Sequence, residues 1–136
     1  RPYLAAHWRL RGWHYPNPKI ELLANLAQPE QYHRFLTSFV DAASPVPDKS
    51  AIPIFLMTNA QPDMVRQLQQ RMPNPLLQAA QATGLRQLHI EMCLAALAQS
   101  FLAFGDTLKG FGKETHVSAP SQLVVRMRGA EFRQPR

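Results

Sequence analysis

The sequence predicts a single α+β domain over residues 1–136, mostly helical, with about five helices and a small sheet built from N-terminal, middle and C-terminal strands. Three observations predict it. The chain has 136 residues, 46% of them apolar, which is one domain's length and enough to bury a core without disulfides or metals. Apolar residues recur at helical spacing through several stretches that open with proline, where the missing N–H costs nothing. Two short segments near the ends, Trp8 to Arg11 and Leu123 to Arg128, repeat apolar residues at a period of two. The same composition excludes a disordered chain, a collagen-like repeat and a cysteine scaffold.

The elements follow in chain order. In Trp8-Arg9-Leu10-Arg11, Trp8 and Leu10 would point one way and Arg9 and Arg11 the other, as in a half-buried strand. Asn17-Pro18 reads as N-cap and first residue of a helix reaching about Gln28. Pro29 opens a second helix, whose Tyr32, Phe35, Leu36, Phe39, Val40 and Ala43 make the clearest amphipathic stripe in the chain. Residues 44–50 form a proline-rich linker, because Pro45 and Pro47 hold their predecessors extended. Ile52 to Met57 is a short buried strand, with Pro53 placing it at an edge or making its start irregular. Helices are expected from Gln61 to Met72 and from Pro75, capped by Asn74, to Ala82.

Leu85 to Phe104 reads as the central helix, with an apolar stripe of Ile90, Leu94, Leu97, Phe101, Phe104 and Leu108 and a second face of small residues. Gly105 would end it in the left-handed conformation, and Gly110 and Gly112 keep the next stretch in a loop. In Leu123 to Arg128, Leu123, Val125 and Met127 alternate with Val124, Arg126 and Arg128, which predicts a last strand. A basic aromatic segment at residues 1–16 and a basic tail at residues 129–136 flank these elements.

The charge is uneven. Fifteen Lys and Arg stand against nine Asp and Glu, for a formal net charge of +6, and eleven of the fifteen are Arg. Both ends are basic, while residues 20–65 hold five acids against Arg34 and Lys49. Arg presents a flat fork of donors suited to phosphates and carboxylates. One cysteine, Cys93, excludes an internal disulfide and fits the cytoplasm or another reducing compartment. The apolar stretch from Met92 to Phe104 is too short and too interrupted to span a membrane. The first residue is Arg rather than Met, as in a trimmed product whose targeting segment would already be gone.

Three strings resemble chemistry and fail on inspection. His89-Ile-Glu91-Met-Cys93 matches half of a zinc deaminase signature, but the second half needs two further cysteines. Its plainer reading is a helical Cys with a hydrogen-bonded His beside it, with a two-ligand metal contact completed from elsewhere as the alternative. Gly105 to Thr115 has glycines and lysines like a phosphate loop. It places Thr107 where the first glycine belongs and Glu114 where the hydroxyl belongs. Arg9 and His14 sit five apart in an extended segment, a spacing that is cheap in a chain with eleven Arg and five His. No catalytic residue, metal ligand or cofactor is assigned.

What remains is an interleaving of rings and cations. If the two Arg-x-Arg strands pair, Arg9, Arg11, Arg126 and Arg128 gather on one face as a platform for polyanions. Trp8 and Trp13 are candidates for stacking on bases, with core anchoring as their plainer role. Lys109, Lys113, Arg133 and Arg136 extend the basic surface. The expected function is a non-enzymatic subunit contacting the backbone of nucleic acid within a larger complex. The alternatives are an adaptor whose basic ends dock on acidic protein partners, and a small hydrolase or nuclease with an unrecognised site.

Overall fold

Leu4 to Trp8 form the first strand, β1, and all five residues are buried, so β1 shows no alternation of apolar and polar residues. In the computed structural model, which describes residues 2–10, 24–79, 84–105 and 118–132, β1 is an inner strand of a four-stranded sheet. The others are β2 (Ile54–Thr58), β3 (Leu76–Leu77) and β4 (Phe101–Leu102). Their order is β3-β2-β1-β4, and β1 pairs parallel with both β2 and β4, as β2 does with β3. A strand with helices on both faces is buried on both sides and reads as continuously apolar.

Helices α1 (Pro29–Ala43), α2 (Pro62–Arg71), α3 (Gly84–Ala96) and α4 (Ala119–Phe132) alternate with the strands, and residues 24–26 are also helical. The chain is therefore an α+β domain rich in helix with a small sheet. The alternation along β1 sorts the layers. Leu4, Ala6 and Trp8 cluster with Tyr32, Leu36 and Val40 of α1 and Leu68 of α2. Ala5 clusters with Phe55, Met57, Ala95 of α3 and Val124 of α4. So α1 and α2 cover one face and α3 and α4 the other, as parallel crossovers require.

Helix α1 starts at Pro29, buries Tyr32, Leu36 and Val40 as its stripe predicts, and ends at the linker of residues 44–50. Helix α2 likewise opens on a proline and buries Leu68. Gly84 supplies a φ of +58° at the start of α3, a conformation that costs residues with a Cβ more.

Five expectations are corrected. Leu123 to Arg128 is helix rather than strand; its core residue is Val124, while Leu123 and Val125 are 44% and 50% exposed. The period of two traced the solvent side of α4. The helix expected to run from Leu85 to Phe104 stops at Ala96, and Phe101–Leu102 is a strand. Pro75 begins no helix, because Leu76–Leu77 pairs with β2 and the Asn74 amide donates to the Lys49 and Ile52 carbonyls instead of capping. Pro53 precedes an inner strand, not an edge. The N-terminal strand ends at Trp8, so Arg9 lies beyond it and Arg126 and Arg128 lie on a helix. The paired-strand Arg platform therefore does not form. The helix start at Asn17-Pro18 and the Gly110–Gly112 loop fall outside the described residues.

Candidate ligand crevice at the carboxyl edge of the sheet

In a parallel sheet the strands' carboxyl ends share one edge. In order 3-2-1-4 the chain leaves β1 and β4 toward opposite faces, and between two such ends is where parallel sheets of this kind place a ligand crevice. Trp8, at the end of β1, is fully buried, donates from Nε1 to the Ala27 carbonyl at 2.6 Å and stacks on Tyr32 with ring centroids 5.5 Å apart. Tyr32 Oη donates to the His7 carbonyl at 2.6 Å, and Thr58 Oγ1 donates to the Trp8 carbonyl at 2.6 Å. Burial raises the Tyr32 hydroxyl well above its usual range. These bonds fix the end of β1 rigidly and consume its aromatic side chains.

His7 points to the other face, among β4 and α4. Its Nδ1 lies 2.6 Å from Ser121 Oγ and 2.9 Å from Ser118 Oγ, and its ring meets Phe104 edge-on at 6.1 Å. Ser118 is the N-cap of α4, because its carbonyl accepts the first intrahelical bond, from Gln122 N–H. Ser121 Oγ also accepts the Phe104 N–H at 2.9 Å. One Nδ1 offers a single proton or a single lone pair to two hydroxyls. Ser121 is thus held between the ring and the Phe104 N–H just past β4, and Ser118 keeps hydrogen-bonding capacity to spare.

His7 is 4% exposed, and its Nε2 has no hydrogen-bond partner among the described residues. Burial, helped by the positive charge of Arg9, pushes the imidazole down to about 3, so the ring is neutral at physiological pH. Arg9 is half-buried just past β1. The first-turn N–H groups of Ala119 and Ser121 likewise find no acceptor among the described residues. Unpaired N–H groups and the helix dipole give this end of α4 a partial positive charge. The arrangement combines neutral donors, a cation and a helix terminus, the set that receives a phosphate oxygen.

The sequence that follows β1 carries no dinucleotide fingerprint. Arg9-Leu10-Arg11-Gly12-Trp13-His14 contains one glycine, whereas close approach of a pyrophosphate to that turn needs a glycine-rich run. An open cavity of about 550 Å³ lies at the opposite edge, lined by Pro2, Tyr3, Pro45, Val46, Leu97 and Gln99. Its one ionisable group, the Tyr3 hydroxyl, already donates to the Leu94 carbonyl at 2.6 Å. Convergence of unspent polar groups, rather than volume, favours the β1/β4 crevice.

The residues singled out in the sequence are scattered. Trp8 is core and cannot stack on a base. Arg9 alone stands at the crevice. Arg126 is exposed on α4, while Arg128 reaches the opposite edge and donates to the carbonyls of Ala95, Ala96, Ala98 and Gln99. Arg11, Trp13, Lys109, Lys113, Arg133 and Arg136 lie outside the described residues. Cys93 Sγ meets His89 Nε2 at 3.7 Å on α3, and among the described residues no three His, Cys, Asp or Glu side chains gather to hold a metal. Nor, among them, is any helix long and apolar enough to cross a membrane. The meeting of His7 with Ser118 and Ser121 was missed because these residues come from distant parts of the chain; no local spacing links positions more than a hundred residues apart. No family model, curated protein or solved structure matches the chain.

Proposed function

We propose that the domain binds a small phosphate-bearing ligand of the nucleotide class in the crevice between the carboxyl ends of β1 and β4. The observation that carries this reading is the meeting of the α4 N-terminus with the end of β1 through His7, Ser118 and Ser121, at the switch point of a parallel sheet ordered β3-β2-β1-β4. Phosphate oxygens accept from the Ser118 hydroxyl, the first-turn N–H groups of α4 and His7 Nε2–H, and Arg9 supplies the counter-charge. Because His7 is neutral, its contribution is that of a fixed donor. The organic part of the ligand then lies along the carboxyl edge.

Contact with a nucleic-acid backbone is the second reading, favoured by Arg126, which is exposed on α4. One experiment separates the two. Calorimetric titration with pyrophosphate, with ADP, GDP and UDP, and with a single-stranded oligonucleotide is run at about 50 and 200 mM salt. The crevice reading expects binding of pyrophosphate and at least one nucleotide, weakened about tenfold or more by Ser118→Ala and by Arg9→Ala. Oligonucleotide binding that collapses with salt, with no pyrophosphate binding, would replace it with the second reading. Absence of all three would remove both.

A further inference from the structure

Helix α3 is built against expectation. Leu85 is 85% exposed while Glu91 is 8% exposed, so an apolar side chain faces solvent and a carboxyl faces the interior of the same helix. Burying a carboxyl is costly unless a partner compensates it. Glu91 has one bond, from Gln87 Nε2 to Oε2 at 2.9 Å. Neither a cation nor a donor to Oε1 is found among the described residues. Burial raises its pKa, opposed in part by the Gln87 bond.

Its position suggests what it is for. Helix α3 returns antiparallel to the strands between β3 and β4, and Ala95 belongs to the cluster of Ala5, Phe55 and Met57. Four residues earlier, at 1.5 Å per residue, Glu91 lies about 6 Å nearer the carboxyl edge. That is roughly two strand residues farther along, at the level of His7 and Met57. Beside Glu91, the α3 face is occupied by the buried Ala95, which fills little space.

We infer that Glu91 accepts hydrogen bonds from the hydroxyl or N–H donors of the ligand's non-phosphate part, and so sets which nucleotide the crevice takes. The inference rests on the crevice reading and assigns the ligand's two halves to different elements: phosphate to α4, organic part to α3. A carboxyl kept for a ligand is a burden on the empty protein. A structural carboxyl would be the reverse.

The test compares wild type with Glu91→Leu and Glu91→Gln, using pyrophosphate, ADP, GDP and UDP as probes and thermal unfolding without ligand. Glu91→Leu is expected to weaken the preferred nucleotide about tenfold or more, leave pyrophosphate within about twofold, and unfold at the same or a higher temperature. Glu91→Gln, which keeps the shape, should lose less affinity. Equal nucleotide affinity in Glu91→Leu, an equal loss for both kinds of probe, or a lowered unfolding temperature with affinity kept would overturn it. Nucleotide binding by wild type that Glu91→Leu leaves unchanged overturns this inference alone, whereas wild type that binds pyrophosphate but no nucleotide also removes the nucleotide class from the crevice reading. Wild type that binds neither removes the crevice reading as well.

Discussion

The two edges of the sheet differ in what their polar groups are bonded to. At the amino edge, the Arg128 guanidinium donates to four carbonyls at the close of α3. Tyr3 Oη donates to Leu94, and the buried Asn74 amide ties the Lys49 and Ile52 carbonyls together. Each of these donors is spent on backbone. At the carboxyl edge, His7 keeps one ring nitrogen without a partner among the described residues, Ser118 and Ser121 share its other nitrogen, and the Ala119 and Ser121 N–H groups meet no acceptor among the described residues. Arg9 and Arg128 are chemically identical, yet one closes a helix end and the other stands at a crevice.

The largest expected effect comes from the floor of the carboxyl edge. Trp8→Ala removes a fully buried ring stacked on Tyr32 and should cost about 3–5 kcal/mol in urea unfolding, with pyrophosphate binding lost alongside. A cost under about 1 kcal/mol would mean that the end of β1 is not rigidly held. Arg128→Met, at the other edge, should cost about 1.5–3 kcal/mol, as expected for a charged donor bonded to partly buried carbonyls. Pyrophosphate affinity should not change in this variant; if it did, the edges would be coupled rather than separate.

His7 marks the carboxyl edge in the pH dependence. Its pKa is lower in the folded chain, about 3, than the 6.5 of the unfolded state. Below 6.5 the unfolded chain therefore takes up a proton that the folded chain refuses. The stability from His7 is complete above pH 6.5 and falls as the pH drops toward 3, by about 1.4 kcal/mol per pH unit. Unfolding between pH 7 and 4 should show this slope in wild type and lose it in His7→Gln. An unchanged slope would place the ring in water. The smallest effect belongs to Arg126, exposed on α4. Arg126→Ala should stay within about 0.5 kcal/mol and leave pyrophosphate binding intact, and weakened oligonucleotide binding would favour the nucleic-acid reading.

What was legible in the sequence follows from how each element is stabilised. Helices α1 and α2 bury one face and open on prolines, so period and punctuation both marked them. Strand β1 is buried on both faces, and its Ala5 and Ala6 carry no pattern. Strands β3 and β4 have two residues each, too few for any period to register, so neighbouring helices were extended across them. In α4 the valine pair and alternating arginines imitated a strand, whereas the buried set Ser121 and Val124, with Arg128 one turn on, has helical spacing. The basic excess was legible, but not its division between a helix lock and a crevice, because Arg128 is committed by carbonyls contributed by another helix. No local spacing marks His7, because its partners lie 111 and 114 positions away.

The most direct test is an amide-resolved NMR titration of the ¹⁵N-labelled protein with pyrophosphate, which reports which edge takes the anion. The account predicts saturable shifts at the backbone amides of His7, Ser118, Ala119, Ser121 and Gln122, with Ala95 to Gln99 and Val46 unmoved. Shifts confined to Tyr3, Val46, Leu97 and Gln99, around the cavity of the amino edge, would contradict it.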